Sequence, residues 1–128
     1  MNRCAGQIKY LIAIKELSEK NETVRCVSIS RHLGVSRPSV SKMLRCLANY
    51  GLVFDDFCNS VELTEEGHAA VEEIYDVFNE VYIFFRKFLK LTADEAHSQA
   101  VTFITEVPQE TCERLKAIVK RTMKKTKE

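Results

Sequence analysis

Apolar residues recur along most of this chain with the period of an α-helix. Ile8, Leu11, Ile12, Ile14 and Leu17 form one broad apolar face, which predicts a helix over residues 8–17. A polar connector follows over residues 19–22. Residues 23–27 lead into a short helix at 28–33, with Ile29 and Leu33 directed inward. Gly34 closes it, where a tight turn calls for a residue that takes positive φ. Val40, Met43, Leu44 and Leu47 then repeat the i, i+3, i+4, i+7 stripe. Ser36 stands at the N-cap position of this helix. Pro38 falls in the first turn, where its missing N–H removes no intrahelical bond.

The opposite face of that helix carries Arg37, Ser39, Ser41, Lys42 and Arg45, and no acidic residue occurs between Thr23 and Tyr50. Cys46 neighbours the apolar stripe and reads as a small core residue. Two short helices joined at a glycine turn, the second basic and rich in hydroxyls, describe a helix-turn-helix, with residues 8–17 as its third support. Lys and Arg neutralise phosphates, while Ser hydroxyls and first-turn N–H groups bond phosphates or base edges. The expected DNA-contacting residues are Ser36, Arg37, Ser39, Ser41, Lys42 and Arg45. The plainer alternative is a solvated face on an ordinary helical hairpin.

Beyond the helix stop at Asn49-Tyr50-Gly51, the period changes. Leu52-Val53-Phe54 and Val61-Glu62-Leu63 flank a turn-prone Asn59-Ser60, the pattern of a small β-hairpin. In this position it is the wing of a winged helix. Its tip offers Asn59 as a hydrogen-bonding contact, but Asp55 and Asp56 would repel phosphate, so only a weak wing contact is expected.

The remainder reads as helices. Thr64-Glu65-Glu66-Gly67 opens one running to about Leu91, with Ala70, Ile74, Val77, Val81, Phe84, Phe85, Phe88 and Leu89 as its apolar face. Thr92-Ala93-Asp94-Glu95 resembles a capping box. It starts a helix ending near Val107, with Ala96, Ala100, Val101, Phe103 and Ile104 expected inside. Pro108 opens a last helix through about Met123, carrying Cys112, Leu115, Ile118 and Val119. The expected architecture is mostly α: a winged helix-turn-helix over residues 1–65, a helical dimerisation region over 66–124 and a disordered tail over 125–128. Five Phe and two Tyr between residues 75 and 103 exceed what a lone hairpin hides. A homodimer would use that surface and set two recognition helices about one DNA turn apart.

Charge sharpens this division. The net charge is +1 over 128 residues. Residues 1–50 nevertheless hold nine Lys/Arg against three Asp/Glu, residues 51–110 hold three against thirteen, and residues 111–128 hold seven against two. A basic front and an acidic middle suit one nucleic-acid face beside a surface with another task. No apolar run is long enough to span a bilayer and no signal-peptide core is present, which favours the cytoplasm. The five cysteines form no CxxC, so neither a zinc knuckle nor a disulfide framework is indicated. No catalytic triad, paired-carboxylate site or glycine-rich phosphate cradle is present, which argues against an enzyme.

Three stretches resemble the DtxR/MntR family of iron- and manganese-dependent transcriptional repressors. They are Val35-Ser36-Arg37-Pro38-Ser39-Val40-Ser41-Lys42-Met43, Leu47-Ala48-Asn49-Tyr50-Gly51-Leu52-Val53 and Leu63-Thr64-Glu65-Glu66-Gly67. The resemblance implies a homodimer that binds an operator when Mn²⁺ or Fe²⁺ is present. It implies ligands from an Asp and a Glu of the first helix, a His of the long helix after the wing, and a Glu-x-x-Glu-His run on the next helix. In this sequence those positions fall on Lys9 and Ile12, near Asn79, and in residues 101–106, where Glu106 is the one strong ligand. Lys, Ile and Thr cannot replace carboxylates around a hard cation. Glu65, His68 and Glu72 along one helix face, with Asn79 and Glu106, are the remaining weak candidates.

The function expected is therefore a dimeric, sequence-specific DNA-binding regulator, in the sense of a repressor. The alternatives are a winged-helix protein-interaction module, or a regulator responding to redox state or a small molecule without a metal.

Overall fold

The computed structural model describes residues 3–20 and 23–127, with the side chains of 125–127 excepted. Six helices follow one another: α1 (Ala5–Glu19), α2 (Cys26–Leu33), α3 (Arg37–Asn49), α4 (Glu65–Lys87), α5 (Ala93–Glu106) and α6 (Gln109–Lys127). The chain forms two compact units. One is Gly6–Glu73, and the other runs from Ile74 onward, joined by the residues before Gly6. The change of unit falls within α4.

In the first unit, α1 is longer than its stripe predicts and is buried on more than one face. Gln7, Tyr10 and Ala13 join Leu11, Ile12, Ile14 and Leu17 inside, as in a helix that is apolar nearly all round. The connector expected over residues 19–22 lies in part outside the described residues. α2 begins two residues earlier than expected. The Arg25 N–H at its start donates to Ser28 Oγ at 3.4 Å.

Gly34 takes φ 67 and returns its N–H to the Ser30 carbonyl. Val35 N–H reaches the same oxygen at 3.1 Å, and the Ser30 hydroxyl donates to the Val35 carbonyl. Three hydrogen bonds within six residues thus hold the turn between α2 and α3.

The wing is slighter than a hairpin of two strands. Its one ladder pair is the antiparallel bridge Val53–Leu63, extended by Phe54 N–H to the Glu62 carbonyl at 3.1 Å. Val61 N–H bonds the Val24 carbonyl at 2.7 Å, which ties the returning segment to the entry of α2. Thr64 joins α3 to α4: its hydroxyl donates to the Gly51 carbonyl and accepts from Gly67 N–H at 3.0 Å. Gly67 is required by close approach, because a Cβ there would stand 1.9 Å from the Leu52 carbonyl oxygen.

In the second unit, aromatic rings of α4 and α5 form the packing. Phe78 meets Tyr75 at 5.4 Å and His97 at 5.4 Å edge-on, and Phe85 meets Phe103 at 5.9 Å. Such offset and edge contacts suit the ring quadrupoles. His97, in the first turns of α5, is half-buried. The Thr92–Glu95 capping box forms in both directions.

Several expectations at the ends fail. α4 stops at Lys87 rather than Leu91, so Phe88 and Leu89 leave the apolar face and are about half exposed. Lys90 takes φ 58 in the turn that follows, and Arg86 donates to the Leu91 carbonyl at 2.8 Å. Val101, Phe103 and Ile104 are half-buried, with only Ala96 and Ala100 of α5 fully inside. Ile118, expected inside, is 52% exposed. α6 passes the expected stop at Met123 and reaches Lys127. Residue 128 and the side chains of 125–127, where a disordered tail is expected, lie outside the described residues.

Candidate nucleic-acid interface

α3 is held from three sides and bare on the fourth. Val40, Leu44 and Leu47 on its back are fully buried. At its front, Ser36 Oγ accepts from Ser39 N–H at 3.3 Å and lies 2.8 Å from Ser39 Oγ. Pro38 occupies the first turn, as an N-terminal turn tolerates. At its rear, Gly51 takes φ 73, Gly51 N–H bonds Ala48 and Leu52 N–H bonds Leu47. The bare face carries Arg37, Ser39, Lys42 and Arg45, all exposed, and Ser41, half-buried. None of Arg37, Lys42 or Arg45 has an ion-pair partner among the described residues.

An open groove of about 520 Å³ runs along this face, lined by Pro38, Ser41, Lys42, Arg45, Cys46 and Asn49. Lys42 and Arg45 bring positive charge to its rim, and Ser41 and Asn49 bring hydrogen-bonding groups. Asn49, one turn past Arg45, and Pro38 are lining residues that the sequence reading did not include. The i+4 spacing from Arg45 could have shown Asn49. Ser36 sits at the same end, but its oxygen is engaged in the cap, so it positions α3 more than it reaches outward.

On the wing, Asn59 is exposed, as expected for its tip, and so are Asp55 and Asp56. His32 is exposed, with Nε2 3.1 Å from Glu16 Oε1, so it ties α2 to α1.

The candidate metal ligands are not brought together. Glu65, His68 and Glu72 are exposed on α4, as are Asn79 on the same helix and Glu106 at the end of α5. Among the described residues, no three His, Cys, Asp or Glu side chains are gathered so that they could hold an ion. Likewise, no described helix is long and apolar enough to cross a membrane.

Burial pushes the Cys112 thiol above its ordinary range, with Glu113 adding to the effect. A thiolate is therefore disfavoured there, which removes Cys112 from the thiols suited to sensing oxidants.

Residues 8–55 match the iron-dependent repressor family in its N-terminal DNA-binding domain. Among solved structures, the manganese regulator SloR is similar at 30% identity and a TM-score of 0.73, over 94% of this chain and 55% of that one. The metal-dependent transcriptional regulator MtsR is similar in fold, at 24% identity and a TM-score of 0.75, over 89% of this chain and 53% of that one. A hypothetical protein from Sulfolobus solfataricus shares the fold at 19% identity and a TM-score of 0.62, over 91% of this chain and 89% of that one. This chain thus spans about half the length of the two regulators. No curated protein matches the sequence.

Proposed function

We propose that this chain, whose residues 8–55 match the DNA-binding domain of the iron-dependent repressor (DtxR/MntR) family, is a member of that family and a sequence-specific DNA-binding transcriptional regulator acting as a homodimer in the cytoplasm. One observation carries the reading. Arg37, Lys42 and Arg45 stand on one exposed face of a rigidly seated helix, with Ser39 among them and no acidic residue on that helix. A row of hydrated cations with no acidic side chain competing for them is free to neutralise the phosphates of a duplex and release its counterions. Arg37, in the first turn of α3, is placed as recognition helices place base-reading residues, where an arginine can bond guanine bidentately.

A homodimer is supported by the apolar surface left on the second unit. Phe88, Leu89 and Ile118 are each about half exposed, and exposed large apolar groups mark association surfaces. Two-fold pairing would present two copies of α3 to a palindromic operator. Repression follows if the bound dimer blocks access to a promoter.

Selection of bound duplexes from a random pool, followed by gel-shift titration at fixed salt, tests this. Arg37→Ala and Lys42→Ala should each weaken binding, by about 1–3 kcal/mol where the side chain reads a base. Affinity unchanged in both variants overturns the assignment of α3. A protein-interaction module is the second reading, favoured by the exposed Asp55, Asp56 and Glu62 of the wing; a pool that enriches no duplex would select it.

A further inference from the structure

The similar regulators are named for manganese or metal dependence, and the family pattern implies a site for Mn²⁺ or Fe²⁺. The residues present here do not fit such an ion. Lys9 exposes an ammonium, and Ile12 is a buried alkyl group at 3% exposure. Asn79 is an exposed amide.

Within residues 101–106, the Thr105 hydroxyl is turned back onto the Val101 carbonyl at 2.9 Å, and the Thr102 hydroxyl onto Ser98 at 3.2 Å. Only Glu106 remains as a carboxylate. A hard divalent cation takes several anionic or carbonyl oxygens at once. One carboxylate, one neutral amide and an ammonium do not supply them.

Two α4 carboxylates lie beside Asn79 in the sequence, Asp76 one turn earlier and Glu80 next to it, and neither joins a group of three ligating side chains among the described residues. Asp76 is already neutralised. Lys116 of α6 bonds its Oδ2, and Lys120 lies 3.3 Å from its Oδ1. Glu113 shares Lys116 at 3.5 Å. The hydrogen bond from Lys116 holds the Asp76 carboxyl below the usual carboxylate range. An arriving cation would have to displace two ammonium groups to reach this oxygen pair.

We propose that this chain keeps its native form without a resident divalent cation, with Lys116 and Lys120 tying α6 to the α4 carboxylate Asp76, and that its α3 face is therefore competent for DNA without metal. The last clause rests on the DNA-binding reading above.

The full chain, stripped with EDTA, is dialysed against Mn²⁺, Fe²⁺ under anaerobic conditions, Zn²⁺ and Co²⁺. Bound metal per chain, the thermal midpoint and affinity for a pool-selected duplex are then measured. No stoichiometric ion should be retained and no ion should raise the midpoint, since a ligand of the native state raises its stability. Duplex affinity in EDTA and in Mn²⁺ should agree within about twofold, as expected when no metal-linked state is selected.

One retained ion per chain with a raised midpoint, or duplex binding that requires metal, overturns the proposal while leaving the DNA-binding reading intact. Absence of duplex binding in both conditions overturns that reading instead, and bound metal and midpoint still decide the cation question. Replacing Lys116 and Lys120 together by Gln should lower the midpoint by a few degrees, equally in EDTA and in Mn²⁺. A midpoint unmoved by the double substitution overturns the tie assigned to these lysines.

Discussion

Arg37, Lys42 and Arg45 on α3 project from the surface with no acidic partner among the described residues, whereas Arg114, Lys116 and Lys120 of α6 close onto carboxylates. Lys116 and Lys120 share Asp76, and Arg114 meets Glu110 at 3.0 Å. Both helices are basic, so charge content alone would assign them the same task. What separates them is the partner each cation has within the fold. A cation already balanced inside the protein gains little from a phosphate, because its own ion pair must first be broken. A cation facing only water releases counterions from DNA and gains the whole contact. Of the two basic segments visible in the sequence, one is an outward surface and the other includes a fastening, Lys116 and Lys120 on Asp76.

The largest effect should come from undermining the platform that presents α3. Gly67→Ala forces a Cβ against the Leu52 carbonyl, and overpacking of this kind costs about 1–3 kcal/mol or more. Chemical denaturation should show the loss, and an unchanged midpoint would mean that the Gly67–Leu52 approach yields easily.

Next, paired charge reversals set the two helices directly against each other. Lys42→Glu should weaken duplex binding by on the order of 2 kcal/mol at low salt while leaving the thermal midpoint in place. Lys116→Glu should do the opposite, lowering the midpoint and sparing affinity. Equal loss of affinity in both variants would erase the distinction.

Asp76→Asn should be milder. Its ion pairs are about half exposed on the carboxylate side, so they contribute no more than about 1 kcal/mol after solvent screening. The pH dependence has a defined sign. The Asp76 carboxyl is lowered in the folded state, so its contribution is present above the unfolded pKa of about 4 and is lost as pH falls through the folded value. Lys116 is raised, so its share is present below about 10.4 and is lost as pH rises through its folded value. The midpoint difference between Asp76→Asn and the unsubstituted chain should thus be clear at neutral pH and vanish in strong acid.

Smallest of all, native-state thiol titration should label exposed Cys58 quickly and Cys112 only on unfolding. Rapid labelling of Cys112 would show that its unit opens readily.

How much of this was legible in the sequence follows the range of the interactions. α3, its Ser36 cap, the Gly34 turn and the Thr92–Glu95 box are each specified within a few residues, and local patterns reveal them. The reach of α4 was overstated because its end carries no Gly or Pro. Lys90, a non-glycine residue, takes the left-handed turn, and the apolar run through Phe88 and Leu89 continues past the last helical turn. The fastening of Asp76 joins residues 40 and 44 positions apart, and no periodicity encodes such a pair. In the site, the outward cations were readable from helical spacing. The Glu16 partner of His32, sixteen residues away, depends on coordinates.

α3 is anchored by its back through Val40, Leu44 and Leu47, by its leading end through Ser36 and by its trailing end through Gly51. None of these anchors draws on the side chains of Arg37, Lys42, Arg45 or Asn49. Residues 37, 42, 45 and 49 can therefore be exchanged with little cost to the architecture. Under the proposed DNA-binding reading, a descendant of this protein could acquire a new target site by a handful of surface replacements, and laboratory reprogramming of its preference could proceed along the same four positions.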